Sequence, residues 1–267
     1  MRIYIVADME GVSGVASLDL QAHPGAVLYE QSRRAMTAEV AGAAQGAFDG
    51  GADEVIVFDM HCEGLNLYLD ELPAGTKTIV GKPGGAMLHA EKLGPMDGLM
   101  LVGFHTRPTN PAGMLSHTYT LYVQEMYLND APVGEVEFEA ATAGSLGIPT
   151  LLVSGDAAMV EEVREFLPGA VLVDVKSPLS LTSAVSLRPA DAAARIQKSA
   201  TQAVRNAVKI SPVATALPVE LRLCVNEERF AAGFVDAGFD KDAQWLTWRG
   251  PSLLDAYAAF LAGVCGH

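Results

Sequence analysis

The 267-residue chain predicts an α/β fold: an open mixed sheet, largely parallel, flanked by helices, with an inserted antiparallel hairpin and length enough for two lobes. Three observations carry this. Residues 3–7, 54–58 and 98–104 are short apolar runs, as expected of strands covered on both faces. Sequence of helical spacing separates the first two. From Ala140 to the end, strand and helix patterns alternate regularly. No internal repeat, linker or low-complexity segment breaks the chain, so residues 1–267 read as one α/β unit.

The first run delivers Asp8 and Glu10 into a turn at Gly11. Side chains at i and i+2 of an extended chain share one side, so the two acids can converge on one cation or polar ligand. The small-residue turn Val12-Ser13-Gly14-Val15 follows, then an irregular stretch through Pro24 and Gly25 suited to a pocket rim. Over residues 27–49, Tyr29, Arg33, Met36, Val40, Ala44 and Phe48 have helical spacing, and Gly50-Gly51 is a stop signal. The strand at 54–58 ends in Asp59-Met60-His61, which repeats the opening design. A loop with Asn66 leads to a short strand at 76–80 and to Gly81-Lys82-Pro83-Gly84-Gly85, which lacks the spacing of a phosphate cradle and reads as a turn. The strand at 98–104 ends in His105, and a loop through Arg107, Asn110 and Gly113 brings in His117.

Residues 119–123 and 126–128 read as strand, Asn129-Asp130-Ala131-Pro132 as turn, and 133 onward as the return arm of a hairpin. There Glu135, Glu137 and Glu139 alternate with Val136 and Phe138, which puts the three acids on one face of a strand, the first of them turned inward. Beyond lie a helix to Leu146, a strand at 150–153, a helix at 157–166 and a strand at 170–175. A long amphipathic helix at 189–208, a strand at 219–225, a helix at 227–234, a strand at 244–248 and a helix at 252–264 complete the chain.

Composition narrows the function classes. With 18 Lys and Arg against 32 Asp and Glu, and a net charge of -14, neither nucleic acid nor an anionic membrane is an expected partner. The acidic excess serves solubility, with the sharper alternative that some acids hold cations or meet amine-bearing substrates. No apolar run reaches ~18 residues and the N-terminus enters a strand at once, which argues against a membrane span and a signal peptide. Cys62, Cys224 and Cys265 are odd in number and unclustered, which fits a reducing, cytoplasmic setting.

Collected from four segments, Asp8, Glu10, Asp59, His61, His105, His117 and Glu135 are all able to ligate metal. Mixed histidine and carboxylate sets suit zinc and related divalent ions, whereas an all-oxygen set would suit magnesium or calcium. A carboxylate such as Asp8 can bridge two ions ~3.5–4 Å apart. Singly, each residue also fits a bland role as a turn cap, a backbone-bonded histidine or a solvated strand acid. Jointly, they favour a metal site. His23, His89 and His267 lack such a setting and read as surface or helix residues.

The segments IYIVADMEGVSG, VIVFDMH, LVGFHTRP, MLSHTYT and NDAPVGEVE, in that order, resemble the D-aminopeptidase family of metallopeptidases. The resemblance implies Asp8 bridging two zinc ions, Glu10 and His61 on one, His105 and Glu135 on the other, and His117 as the catalytic histidine. It also implies a homo-oligomer, a ring-stacked decamer enclosing a chamber that admits short peptides. The expected activity is hydrolysis of the N-terminal residue, of D configuration, from a short peptide by a two-metal activated water, with residues 1–267 as one catalytic unit and residues 12–14 lining the pocket. Two other readings stand beside it. A metal-dependent phosphatase would need a basic anchor such as Lys82 or Arg107, and a non-catalytic peptide- or metal-binding protein linked to peptide uptake would bind without cleavage.

Overall fold

The computed structural model describes residues 1–81 and 84–265. Lys82, Pro83 and His267, read above as part of a turn, a candidate phosphate anchor and a surface or helix residue, lie outside the described residues.

In chain order the elements are β1 (Arg2–Ala7), α1 (Leu18–Gln21), α2 (Tyr29–Gly50), β2 (Glu54–Asp59), β3 (Thr76–Ile79), α3 (Ala86–Leu93) and β4 (Gly98–Phe104). Then come β5 (Val123–Leu128), β6 (Ala131–Pro132), α4 (Glu135–Ser145), β7 (Thr150–Asp156), α5 (Ala157–Val163), β8 (Val171–Ser180) and β9 (Ser183–Ser186). The chain closes with α6 (Pro189–Arg205), β10 (Val219–Val225), α7 (Glu228–Asp236), β11 (Asp240–Asp242), β12 (Trp245–Gly250) and α8 (Leu253–Cys265). A seven-stranded sheet runs β3-β2-β1-β4-β7-β8-β9, parallel except for β9. A second, antiparallel sheet runs β11-β12-β10-β5-β6. The mixed, largely parallel sheet flanked by helices is the expected fold, and the hairpin β5–β6 belongs to the second sheet.

Alternation along β1 explains its unbroken apolar text. Tyr4 and Val6 face a core shared with α3, α4, α8 and the second sheet, while Ile3, Ile5 and Ala7 face α2 and α6. Both faces are covered, so no polar position is left within the strand. Strand order reverses between β1 and β4, the place where ligands sit in doubly wound sheets. Here the chain leaving β1 lies directly on β4: the N–H of Asp8 donates to Val102 O at 2.8 Å and that of Gly11 to Gly103 O at 2.7 Å. A Cβ on Gly11 would stand 1.7 Å from Phe104 O, so glycine alone permits this approach.

Two local expectations fail. Residues 119–122, read as strand, form an irregular turn with Tyr119 at φ 57°, and β5 begins only at Val123. After the two-residue strand β6 the chain does not return as a strand; Glu135–Ser145 is the helix α4. Its start is set by Glu137, whose Oε2 accepts the Gly134 N–H at 2.9 Å, and by the helix-forming alanines that follow. Glu135 through Ala143 are all buried, so no solvated face exists to print a helical period on the text.

Candidate metal centre

The carboxyl ends of β1, β2 and β4, the 105–117 loop and the first turn of α4 bring Asp8, Glu10, His61, His105, His117 and Glu135 together. His61 Nδ1 lies 3.1 Å from Asp8 Oδ1 and 3.0 Å from Glu10 Oε2. His105 Nε2 lies 3.5 Å from Asp8 Oδ2 and 3.3 Å from Glu135 Oε1. Asp8 thus turns one oxygen to each histidine. Two groups, Asp8–Glu10–His61 and Asp8–His105–Glu135, have ligand atoms all within 4.8 Å, and Glu10–His105–His117 forms a third.

The hydrogen bonds fix which ring nitrogens are free. A backbone carbonyl only accepts, so the nitrogen facing it carries the proton. His61 Nε2–H donates to Ala22 O at 2.6 Å, His105 Nδ1–H to Thr106 O at 2.9 Å and His117 Nδ1–H to Leu115 O at 2.8 Å. In the neutral tautomers so defined, the opposite nitrogens turn lone pairs toward carboxylate oxygens, so that a cation or a proton must sit between them. Acceptor faces acceptor, and Asp8 Oδ2, Glu10 Oε2 and His105 Nε2 are buried with no hydrogen-bond partner. Divalent cations in the two groups would satisfy all three, and the carbonyl behind each imidazole is the outer support that zinc-binding histidines use. The donor set therefore fits zinc.

Electrostatics differ across the group. Burial and the neighbouring Glu10 push Asp8 up to about 7. For His105, burial opposes the charged form but Glu135, Asp8 and Glu10 outweigh it and raise it to about 10. His117 goes the other way, because burial and the stacked His105 hold it below the usual imidazole range. It also stands farther out, 4.0 Å from Glu10 and Glu135, with a side chain 14% exposed against 1–5% for the other five.

Asp59, counted above among the metal-capable residues, is otherwise engaged. Its Oδ2 accepts the Asn66 N–H at 2.6 Å and its Oδ1 the Asn66 side-chain amide at 2.8 Å, while that amide also reaches His61 O at 2.7 Å. Asp59 ties down the loop that aims His61. Residues 12–14 do not line the cavity beside the ligands; Val12 and Ser13 are buried, and the Ser13 N–H donates to Glu39 Oε1 at 2.8 Å. That cavity, of about 230 Å³, is walled by Glu10, His117, Asp19, Tyr119, Leu121 and His23, so the irregular stretch before Pro24 forms the rim and His23 belongs to it.

The parts played by two residues escape a reading of the sequence. Lys176, in β8, is buried, and its ammonium donates to Glu10 O and to Val15 O, clamping the turn that carries the first two acids. It lies mid-strand between Asp174 and Ser177, and no pattern in the sequence marks it as buried. Glu139 accepts both the Tyr119 and Tyr257 hydroxyls, and burial pushes it up to about 7.

A doubly wound sheet that gathers three carboxylates and three imidazoles at its switch point defines an α/β protein equipped for divalent-metal chemistry. The sequence profile of the D-aminopeptidase family matches residues 1–262, and the chain belongs to that family. A D-aminopeptidase of Bacillus subtilis (strain 168) is 32% identical over 215 residues, 80% of this chain and 77% of that protein. The solved structure of the Zn-dependent D-aminopeptidase DppA from Bacillus subtilis, described as a self-compartmentalizing protease, superposes with a TM-score of 0.90 at 27% identity, covering 99% of this chain and 97% of the other.

Proposed function

We propose that this protein is a zinc-dependent aminopeptidase that removes the N-terminal residue, of D configuration, from short peptides, with two metal ions held by Asp8, Glu10, His61, His105 and Glu135. The observation that carries the reading is the division of the Asp8 carboxylate, one oxygen 3.1 Å from His61 and the other 3.5 Å from His105, which is the arrangement of a bridging ligand. Family membership supports the reaction class, and the zinc dependence of the structural relative supports the metal.

Metal held by these residues would supply Lewis acidity toward the scissile carbonyl and would lower the pKa of a water toward ~7. The chain supplies the rest. His117, held by the Leu115 carbonyl at Nδ1 and favoured in its neutral form, takes a proton from the attacking water at Nε2 and returns it to the leaving amine as the C–N bond breaks. Asp19 and Glu10 give the cavity an acidic wall, complementary to a peptide ammonium group. At about 230 Å³ the cavity suits a short ligand.

Of the two anchors named for the phosphatase reading, Arg107 is committed to Glu137 and Glu162 at 3.3 and 3.5 Å, and Lys82 lies outside the described residues. The further features we assign to the protein are a cytoplasmic location, action of residues 1–267 as one catalytic unit, and assembly into a ring-stacked decamer. No described helix is long and apolar enough to cross a membrane, and the structural relative is self-compartmentalizing. Incubation with matched D- and L-aminoacyl dipeptides tests the activity. Release of the free N-terminal residue from the D series supports it; stoichiometric binding without cleavage would select the binding-protein reading instead.

A further inference from the structure

Glu135 and Glu139 stand one turn apart on α4, and both grip the same tyrosine. The Tyr119 N–H donates to Glu135 Oε1 at 2.7 Å, and its hydroxyl donates to Glu139 Oε1 at 2.6 Å. The residue is held at both ends, with its ring packed edge-on against Phe260 at 4.9 Å between centroids.

Tyr119 lies two residues beyond His117, and its backbone is left-handed, with φ 57°; Leu115, two residues before His117, has φ 55°. Such conformations are costly for side chains of this size and persist only where the surroundings hold them. At Leu115 the hold is its carbonyl, which accepts from His117 Nδ1–H. At Tyr119 it is the double grip by α4.

We infer that Glu139, acting through the Tyr119 hydroxyl, is a positioning residue for His117. Helix α4 then does two tasks one turn apart: Glu135 enters the metal-binding set, and Glu139 anchors the loop that suspends the proton-handling imidazole 4.0 Å from Glu135. Glu139 belongs to none of the metal-competent groups, yet it is fully buried at the floor of that loop. The inference rests on the reading of His117 as the group that moves the proton.

The fold supplies its own control, because the Tyr257 hydroxyl donates to the same Glu139 oxygen at 2.7 Å from a helix that carries no catalytic group. Tyr119→Phe and Tyr257→Phe each delete one oxygen and one hydrogen bond to one acceptor. Both are assayed for hydrolysis of D-alanyl-p-nitroanilide, with metal content and melting midpoint measured on the same samples. Tyr119→Phe is expected to lose about 10- to 100-fold in kcat at unchanged KM and metal content, because small misplacements of a reacting group cost that much. Tyr257→Phe is expected to stay within about threefold of wild type, and Glu139→Leu, which removes the acceptor without touching Tyr119, to follow Tyr119→Phe. Wild-type kcat in Tyr119→Phe, or an equal loss in Tyr257→Phe, overturns the inference. His117→Ala, run alongside, separates the two levels. If it keeps wild-type kcat, the reading of His117 fails and takes the inference with it; if it loses kcat while Tyr119→Phe does not, the inference alone fails.

Discussion

The imidazoles of His105 and His117 stack face to face, 4.1 Å between centroids and 7° between planes, yet their free nitrogens have different company. That of His105 has carboxylate oxygens at 3.3 and 3.5 Å and a side chain 1% exposed; that of His117 has them no nearer than 4.0 Å and borders the cavity. The stack holds a partly exposed imidazole over a buried, ligand-type one.

His117→Ala should therefore retain metal and lose about 10²- to 10⁴-fold in kcat, the range for a positioned acid/base group. His105→Ala should lose metal from the Asp8–His105–Glu135 group. Metal analysis and steady-state kinetics on the two variants check the division of labour, and retention of full activity by His117→Ala would contradict it.

Asp59 acts through Asn66, whose amide bridges it to the His61 carbonyl. Outer supports of this kind typically contribute 10- to 100-fold in metal affinity. Asp59→Ala should weaken zinc binding at the His61 side by roughly that factor and leave the His105 side near wild type. Calorimetric zinc titration reads both, and two unchanged affinities would reduce Asp59 to a loop anchor.

Glu39, buried in α2 and pushed up to about 7 by burial, makes stability depend on pH. The fold prefers the neutral carboxyl, so this contribution is complete below the ordinary glutamate range and is lost as pH rises through about 7. Glutamine at position 39 keeps an acceptor for the Ser13 N–H and cannot ionise. Glu39→Gln should match wild type near pH 5 and exceed it at pH 8 by up to about 3 kcal/mol. Denaturant titrations at the two pH values decide this; a constant difference would contradict it.

The strand ends were legible because burial on both faces turns β1, β2 and β4 into short apolar words, each closed by a residue with metal-binding chemistry. Glu135 was singled out for its ligand chemistry but placed on the wrong element. Its neighbours Glu137 and Glu139 are buried to cap the helix and to hold Tyr119 and Tyr257, and acids buried for three separate reasons at every second position imitate the alternation of a half-solvated strand. Lys176 was out of reach, because its partners are backbone carbonyls more than 160 residues away and no side-chain pattern marks them. The cavity rim was half legible. Its irregular composition signalled a loop, but which part of residues 12–25 faces the ligands depends on how the turn after β1 packs under α2.

If Asp8 bridges the Asp8–Glu10–His61 and Asp8–His105–Glu135 groups, its removal empties both, and metal stoichiometry reads this out. Mass-spectrometric metal analysis of zinc-reconstituted, gel-filtered protein should give about two ions per chain for wild type, close to none for Asp8→Ala, and about one for Glu10→Ala. Two ions retained by Asp8→Ala, or no more than one in wild type, would contradict it.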